Sequence, residues 1–312
     1  MNATRKKSAP EKDQSWSFIP GGEIVPGIHA WALLGDGRHC ETWLAWCVRL
    51  WTVVAIKLPR PNRIDERTYS ALRREGCTVS SLVHPGIQRL LDADCGGPLP
   101  YLVFEYVEGP TLAEMLDMKG ALSPIEVIRL GMQIASALHY IHGKGIVHGD
   151  IKPGNVVIRE GRAILIDFDI AREVSEGGAG TKARGSAQYM APEQVDSAPA
   201  AAAMDIFALG ATLYEAATDR IAFDLKKGEP KDFYPQAVRR PPAPRSIDAA
   251  IPKALDCAIG RLLEPDPGKR PATALAVLSL LAGALPKNEQ GLWPRWVSKL
   301  MPDASSGFLE NP

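Results

Sequence analysis

His148-Gly149-Asp150-Ile151-Lys152-Pro153-Gly154-Asn155 is the stretch whose reading decides the fold. Close behind it, the apolar run Ala163-Ile164-Leu165-Ile166 ends in Asp167-Phe168-Asp169. Together they place an acid, a lysine, an amide and a second acid on one strand-loop-strand segment. Transfer of a phosphoryl group to a hydroxyl needs such a set. A carboxylate orients the incoming hydroxyl and accepts its proton. A cation offsets charge on the moving group. An amide oxygen and a further carboxylate hold Mg²⁺ against the phosphates of ATP. Asp150, Lys152, Asn155 and Asp167 are the candidates for these roles, in that order. Taken alone, the stretch also reads as a polar loop between buried strands, with Asp and Asn as turn formers.

Bulk properties narrow the classes. The chain has 312 residues, enough for one large domain or two lobes around a sizeable core. Its 36 basic and 36 acidic residues cancel, so no broad basic surface for nucleic acid is expected. Five cysteines, Cys40, Cys47, Cys77, Cys95 and Cys257, show no metal-ligand spacing and read as reduced thiols of a cytoplasmic protein. The longest nearly uncharged run, residues 272–286, is too short to span a bilayer. The basic N-terminus has no apolar core, so no secretory signal is expected.

The opening stretch resembles the catalytic loop of the protein kinase family, H-R-D-x-K-x-x-N, and Asp167-Phe168-Asp169 its metal motif, D-F-G. Further matches occur in the family's order. Leu34-Gly35-Asp36-Gly37-Arg38-His39-Cys40-Glu41-Thr42 aligns with the glycine-rich loop, with Cys40 in place of the third glycine and Thr42 in place of the valine. Val54-Ala55-Ile56-Lys57 matches the third-strand V-A-I-K. Glu75 precedes His84-Pro85-Gly86-Ile87 by a little over two helical turns. Tyr101-Leu102-Val103-Phe104-Glu105-Tyr106-Val107 looks like the hinge, and Ala191-Pro192-Glu193 matches A-P-E. Asp205, on an apolar helix, and Arg270, in Asp266-Pro267-Gly268-Lys269-Arg270, resemble two structural positions of the larger lobe. The resemblance covers residues 27–285.

It implies an α+β, bilobal fold: a small, mainly β N-lobe with one helix, and a larger, mainly α C-lobe. The expected division is a disordered tail over residues 1–20, the N-lobe over 21–107, the C-lobe over 108–286 and a tail over 287–312. Within it, a helix is expected over residues 63–83, and another over 123–142 with Ser123 as cap and a buried stripe Val127, Leu130, Ile134, Leu138 and Ile141. Thr111 and Glu114 fit a capping box. Between Ala45 and Val54 no turn residue shows how the hairpin closes. The last tail carries Leu292, Trp293, Trp296, Val297, Leu300 and Met301 at helical spacing, a face for docking on its own C-lobe or on a partner.

The resemblance also implies residue roles. Lys57, held by Glu75, positions the α and β phosphates of ATP. Leu34, Gly35, Gly37 and Thr42 close over the nucleotide, Ala55 and Val157 sandwich the adenine, Phe104 guards the back of its pocket, and backbone groups of Glu105 and Val107 meet its edge. Asn155 and Asp167 bind Mg²⁺, and Asp150 with Lys152 serves the transfer. Asp205 holds the catalytic loop from below, Arg270 pairs with Glu193, and Ser186 stands where a threonine usually contacts the catalytic Asp and Lys. Lys152 and the Gly185-Ser186-Ala187-Gln188-Tyr189 stretch favour a bacterial serine/threonine kinase acting on proteins. Two other readings are a small-molecule phosphotransferase of the same fold, which also carries H-G-D, and a pseudokinase that binds nucleotide as a scaffold.

Two departures from the family pattern carry expectations. Asp169 replaces the glycine of D-F-G, which removes backbone freedom and favours a fixed Phe168. Gly149 replaces the arginine that, in kinases having it, waits for a phosphate on the activation segment, so this is a non-RD loop. Activity should therefore not depend strictly on a phosphate at Ser175, Thr181 or Ser186. Alanine at each position, assayed for turnover, checks this: Thr181→Ala should retain activity, and a folded but inactive Thr181→Ala protein would contradict it.

Overall fold

The structure, a computed structural model, describes residues 14–174, 184–230 and 233–287. The last tail, residues 288–312, and the middle of the activation segment with Ser175 and Thr181 lie outside the described residues. The chain divides into two compact units, Met1–Ser81 with Arg89–Tyr106, and Leu82–Gln88 with Val107–Pro312. The His84-Pro85-Gly86-Ile87 corner thus belongs to the larger unit.

The smaller unit is a six-stranded antiparallel sheet with one helix. Its elements are β1 (Glu23–Val25), β2 (Ile28–Asp36), β3 (Cys40–Cys47), β4 (Thr52–Pro59), α1 (Glu66–Ser80), β5 (Leu90–Asp94) and β6 (Tyr101–Glu105), with strand order β1-β2-β3-β4-β6-β5. Period-two alternation decides the faces. Along β3, Glu41, Trp43, Ala45 and Cys47 are buried and the residues between them only partly so. Trp43, Ala45 and Cys47 join Val54, Ile56 and Leu58 of β4 in the core on one side of the sheet. Ala55 and Lys57 alternate with that set and point to the other side. Asp65 caps α1 by accepting from the Thr68 amide at 2.8 Å.

Two features here differ from the reading of the sequence. The β3–β4 hairpin closes through Trp51 at φ +51°, a left-handed conformation that a bulky residue rarely adopts. Its ring meets Trp46 edge-on at 5.5 Å, a contact that offsets the strain. The segment from Gln14 to Pro20, expected to belong to a disordered tail, packs on the sheet. Trp16 stacks on Phe18 at 5.2 Å, Phe18 meets Trp43 edge-on at 5.3 Å, and the Trp16 Nε1–H donates to the Pro59 carbonyl at 2.8 Å. Two aromatic rings in a Lys-, Ser- and Pro-rich stretch bury enough area to offset its ordering.

The larger unit is mainly helical. α2 (Leu112–Lys119) and α3 (Pro124–Gly143) both start in capping boxes, Thr111 with Glu114 and Ser123 with Glu126. The stripe Val127, Leu130, Ile134, Leu138 and Ile141 on α3 is buried. Short strands follow: β7 (Ile146–Val147), β8 (Val156–Arg159), β9 (Arg162–Leu165) and β10 (Arg172–Glu173), paired as β8 with β9 and β7 with β10. Then come α4 (Pro192–Val195), α5 (Ala202–Thr218), α6 (Pro244–Ile247), α7 (Lys253–Leu262) and α8 (Ala274–Ala284). α5 is buried along nearly its whole length and touches α3, α7 and α8. Among the described residues, no helix is long and apolar enough to cross a membrane.

One ion pair ties the end of the activation segment to the helices. The buried Arg270 guanidinium makes a two-pronged contact with the Glu193 carboxylate at 2.6 and 2.8 Å. It also donates to the carbonyls of Ala203, Glu264 and Pro265, and lies 4.9 Å from the centre of the Phe207 ring. Arg270→Ala removes all of these at once and leaves Glu193 without its cation. The expected loss is about 3–5 kcal/mol of stability, read by chemical denaturation; a loss under 1 kcal/mol would contradict the role assigned to this pair.

Candidate active site

The catalytic loop is fixed from beneath by one carboxylate. Asp205, in the first turn of α5 and fully buried, accepts from the His148 amide at 2.9 Å, the Gly149 amide at 2.8 Å and the His142 ring at 2.8 Å. Burial alone would raise its pKa. The His142 hydrogen bond, the His142 and His148 charges and the Gly149 amide outweigh that and hold it below the ordinary 3.8. Gly149 has φ +78°, where an L side chain is strained, so glycine relaxes the loop at the position where the family carries arginine.

On this base the polar side chains converge. One Asp150 carboxylate oxygen accepts from the Ser186 amide at 2.7 Å. The other accepts from Lys152 Nζ at 2.7 Å and Asn155 Nδ2 at 3.0 Å. Lys152 Nζ also donates to the Ser186 hydroxyl at 2.8 Å, and Asn155 Nδ2 to the Asp150 carbonyl at 2.9 Å. The acid is thereby aimed by three donors while Lys152 bridges it to the activation segment. With its nitrogen engaged on Asp150, Asn155 presents its amide oxygen elsewhere. That oxygen and the Asp167 carboxylate are hard donors suited to Mg²⁺. Asp167 sits at φ +62°, a conformation that Asp tolerates better than most residues. Phe168 is buried and its ring lies 4.5 Å from that of His148. Val107, Val157 and Ile164 form a small apolar cluster with Ile166 against it.

The smaller unit holds the remaining candidates. Lys57 Nζ donates to both Glu75 carboxylate oxygens, at 2.9 and 2.8 Å, with Glu75 almost fully buried. Strand register aligns Gly35 with Thr42 and Thr42 with Lys57, so one row crosses the sheet on one face. Ala55 pairs with Phe104, and both are buried. Glu105 closes β6 and meets Arg89, while Leu34 is exposed near the glycine turn.

Two contributors escaped the sequence reading. Gln194 is buried and its side-chain amide nitrogen Nε2 donates to the Gly149 carbonyl at 2.9 Å and to the Arg184 carbonyl. His142, at the end of α3, is the ring that partners Asp205. Neither belongs to a spaced motif; only the fold brings them to the loop.

The family model described as the protein kinase domain matches residues 28–279. The chain belongs to the protein kinase family. Among similar proteins, the serine/threonine-protein kinase PknB of Mycobacterium leprae is 34% identical over 252 residues, covering 78% of this chain and 40% of that protein. PknB of Mycobacterium tuberculosis strain H37Rv is likewise 34% identical over 253 residues, with the same shares. The probable serine/threonine-protein kinase SCO3848 of Streptomyces coelicolor is 34% identical over 248 residues, covering 76% of this chain and 37% of that protein. The chain therefore spans about 40% of the length of the first two.

The lowered pKa of Asp205 makes a signed prediction. Its stabilising contribution is present above the unfolded value near 3.8 and is lost as pH falls through the lower folded value. Asp205→Asn should destabilise the kinase-family fold at pH 7, and that deficit should shrink below about pH 4. Urea denaturation of both proteins across this range checks it; a deficit independent of pH would contradict it.

Proposed function

We propose that this chain is an ATP- and Mg²⁺-dependent serine/threonine protein kinase of the non-RD type, moving the γ-phosphate of ATP to Ser or Thr hydroxyls of protein substrates. The observation that carries this reading is the Asp150 carboxylate aimed by Lys152, Asn155 and the Ser186 amide. An acceptor hydroxyl donates its proton towards Asp150 as it attacks, and Lys152 Nζ offsets charge on the group in transit. Asn155 and Asp167 would hold Mg²⁺, which supplies charge neutralisation on the phosphates. Lys57, oriented by Glu75, engages the α and β phosphates. Leu34, Gly35, Gly37, Thr42, Ala55, Phe104, Glu105, Val107 and Val157 receive the nucleotide.

Lys152 and the Ala191-Pro192-Glu193 platform favour a protein acceptor, and the relatives named above are serine/threonine-protein kinases by description. Gly149 leaves the loop without an arginine awaiting phosphate, so Ser186 contributes through its hydroxyl contact with Lys152. The five cysteines, none of them in a disulfide, support a reducing compartment and so a cytoplasmic setting for the proposed reaction.

The test is incubation of the wild type and Asp150→Asn with labelled ATP and Mg²⁺, with a generic basic protein as acceptor. The wild type should label the protein, and Asp150→Asn should be slower by about 10²–10⁴-fold with nucleotide affinity nearly unchanged. Label on an added aminoglycoside would support a small-molecule phosphotransferase instead. Bound nucleotide without transfer by the wild type would support a scaffold, and equal rates would remove Asp150 from the chemistry.

A further inference from the structure

The glycine turn between β2 and β3 is tied down by two buried charges. Glu41 is fully buried on the inward face of β3, beside Trp43. Its carboxylate accepts from the Ser15 hydroxyl at 2.6 Å, the Trp16 amide at 3.3 Å, the Trp43 Nε1–H at 2.9 Å and Arg60 Nη1 at 3.2 Å. Arg60, also buried, follows directly on β4. Its amide donates to the His39 carbonyl at 3.0 Å, its Nε to the Gly37 carbonyl at 2.7 Å and its Nη2 to the Asp36 carboxylate. Its Nη1 also donates to the Gln14 carbonyl at 3.1 Å. The guanidinium thus grips the turn at residues 36 and 37, the Arg60 backbone amide holds it at 39, and the residue at 41 anchors the guanidinium. The turn itself is tight: a Cβ at Gly37 would come within 2.8 Å of the Cys40 carbonyl.

A buried ion pair is a poor way to gain stability, since a well-packed apolar replacement often does as well or better. What it gives is direction: a planar fork fixes several acceptors at set angles. Apolar side chains in the same space would fill the core, keep the backbone bond to His39, and leave the Gly37 carbonyl and the Asp36 carboxylate unrestrained. The position of these charges, at the base of a loop with only two of the family's three glycines, points to a geometric task.

Resting on the nucleotide-receiving role proposed for the turn, we infer that Glu41 and Arg60 are positioning residues for it, and that Ser15 and Trp16 complete the latch. The pair presets the backbone of residues 36–39 for a phosphate-bearing ligand. It stands in for restraint that the sequence around Cys40 does not supply. Neither side chain touches the reacting atoms.

The test uses the full chain with Glu41→Gln, which keeps the shape and removes the charge, with Arg60→Lys, which keeps the charge and removes the fork, and with both. Three quantities are read: the Kd of a non-hydrolysable ATP analogue with Mg²⁺, hydrogen exchange of the amides at 35–40, and thermal unfolding. Each single variant should weaken nucleotide binding and speed exchange by about tenfold, the scale of one charge-assisted hydrogen bond. The double variant should be little worse than the worse single one, because the two act as one device. Should either variant fail to fold, Ser15→Ala, at an exposed position, should shift both readouts in the same direction by about threefold. Lowered thermal stability with unchanged Kd and exchange would overturn the inference and leave a merely structural pair. Additive losses would overturn the coupling between the two. If the wild type binds no nucleotide, the kinase reading falls, and the exchange rates at 35–40 alone decide whether the pair positions the turn.

Discussion

A single buried carboxylate sets the geometry on which the chemistry proposed for the larger unit depends. Asp205 engages two consecutive backbone amides and one imidazole ring, so the His148–Gly149 peptide has one orientation. An unpaired charge at that depth would cost several kcal/mol. With three donors it becomes instead a rigid support. The next residue, Asp150, is held in turn by its own three donors, and the His148 ring is left facing Phe168. The Gly149 carbonyl, on the other side, is taken by Gln194. Gln194 neighbours Glu193, which Arg270 holds, and Arg270 lies over Phe207, two residues beyond Asp205 on α5. The support, the loop and the end of the activation segment therefore form one closed circuit.

That circuit explains why the two departures from the family pattern are tolerated. Gly149 sits at positive φ, where an arginine would add strain, and its carbonyl and amide are both engaged, so losing a side chain there loosens nothing. Asp169 follows a Phe168 already buried against His148. In the smaller unit the same logic recurs on a shorter scale. Lys57 has both oxygens of a nearly fully buried Glu75 as acceptors, which orients its ammonium group.

The residues proposed to carry the chemistry were legible because phosphoryl transfer would demand particular groups at fixed spacing. Asp150, Lys152 and Asn155 fall within six consecutive positions, and the hydrogen bonds among them are local. The α3 stripe and the two capping boxes were legible for a similar reason: both follow from helical periodicity over a few residues. What stayed hidden depends on neighbours distant in sequence. Nothing around Gln194 or His142 announces that it will meet the catalytic loop. Trp51 closes a hairpin in a left-handed conformation because Trp46 is there to receive it, and composition argues against such a turn. Residues 14–18 read as tail until the sheet supplies Trp43 and Pro59 as partners. Glu41 carries no role in the glycine-rich stretch as a sequence, and only Arg60, nineteen residues on, gives it a task.

The central claim is that Asp167 and Asn155 serve a metal-bound nucleotide. Titration of a non-hydrolysable ATP analogue into wild type and Asp167→Asn, each with and without Mg²⁺, tests it most directly. Mg²⁺ should tighten binding to the wild type by about tenfold or more and have little effect on Asp167→Asn, since the variant loses the carboxylate that draws the ion. An equal Mg²⁺ effect on both proteins, or no binding by either, would contradict the claim.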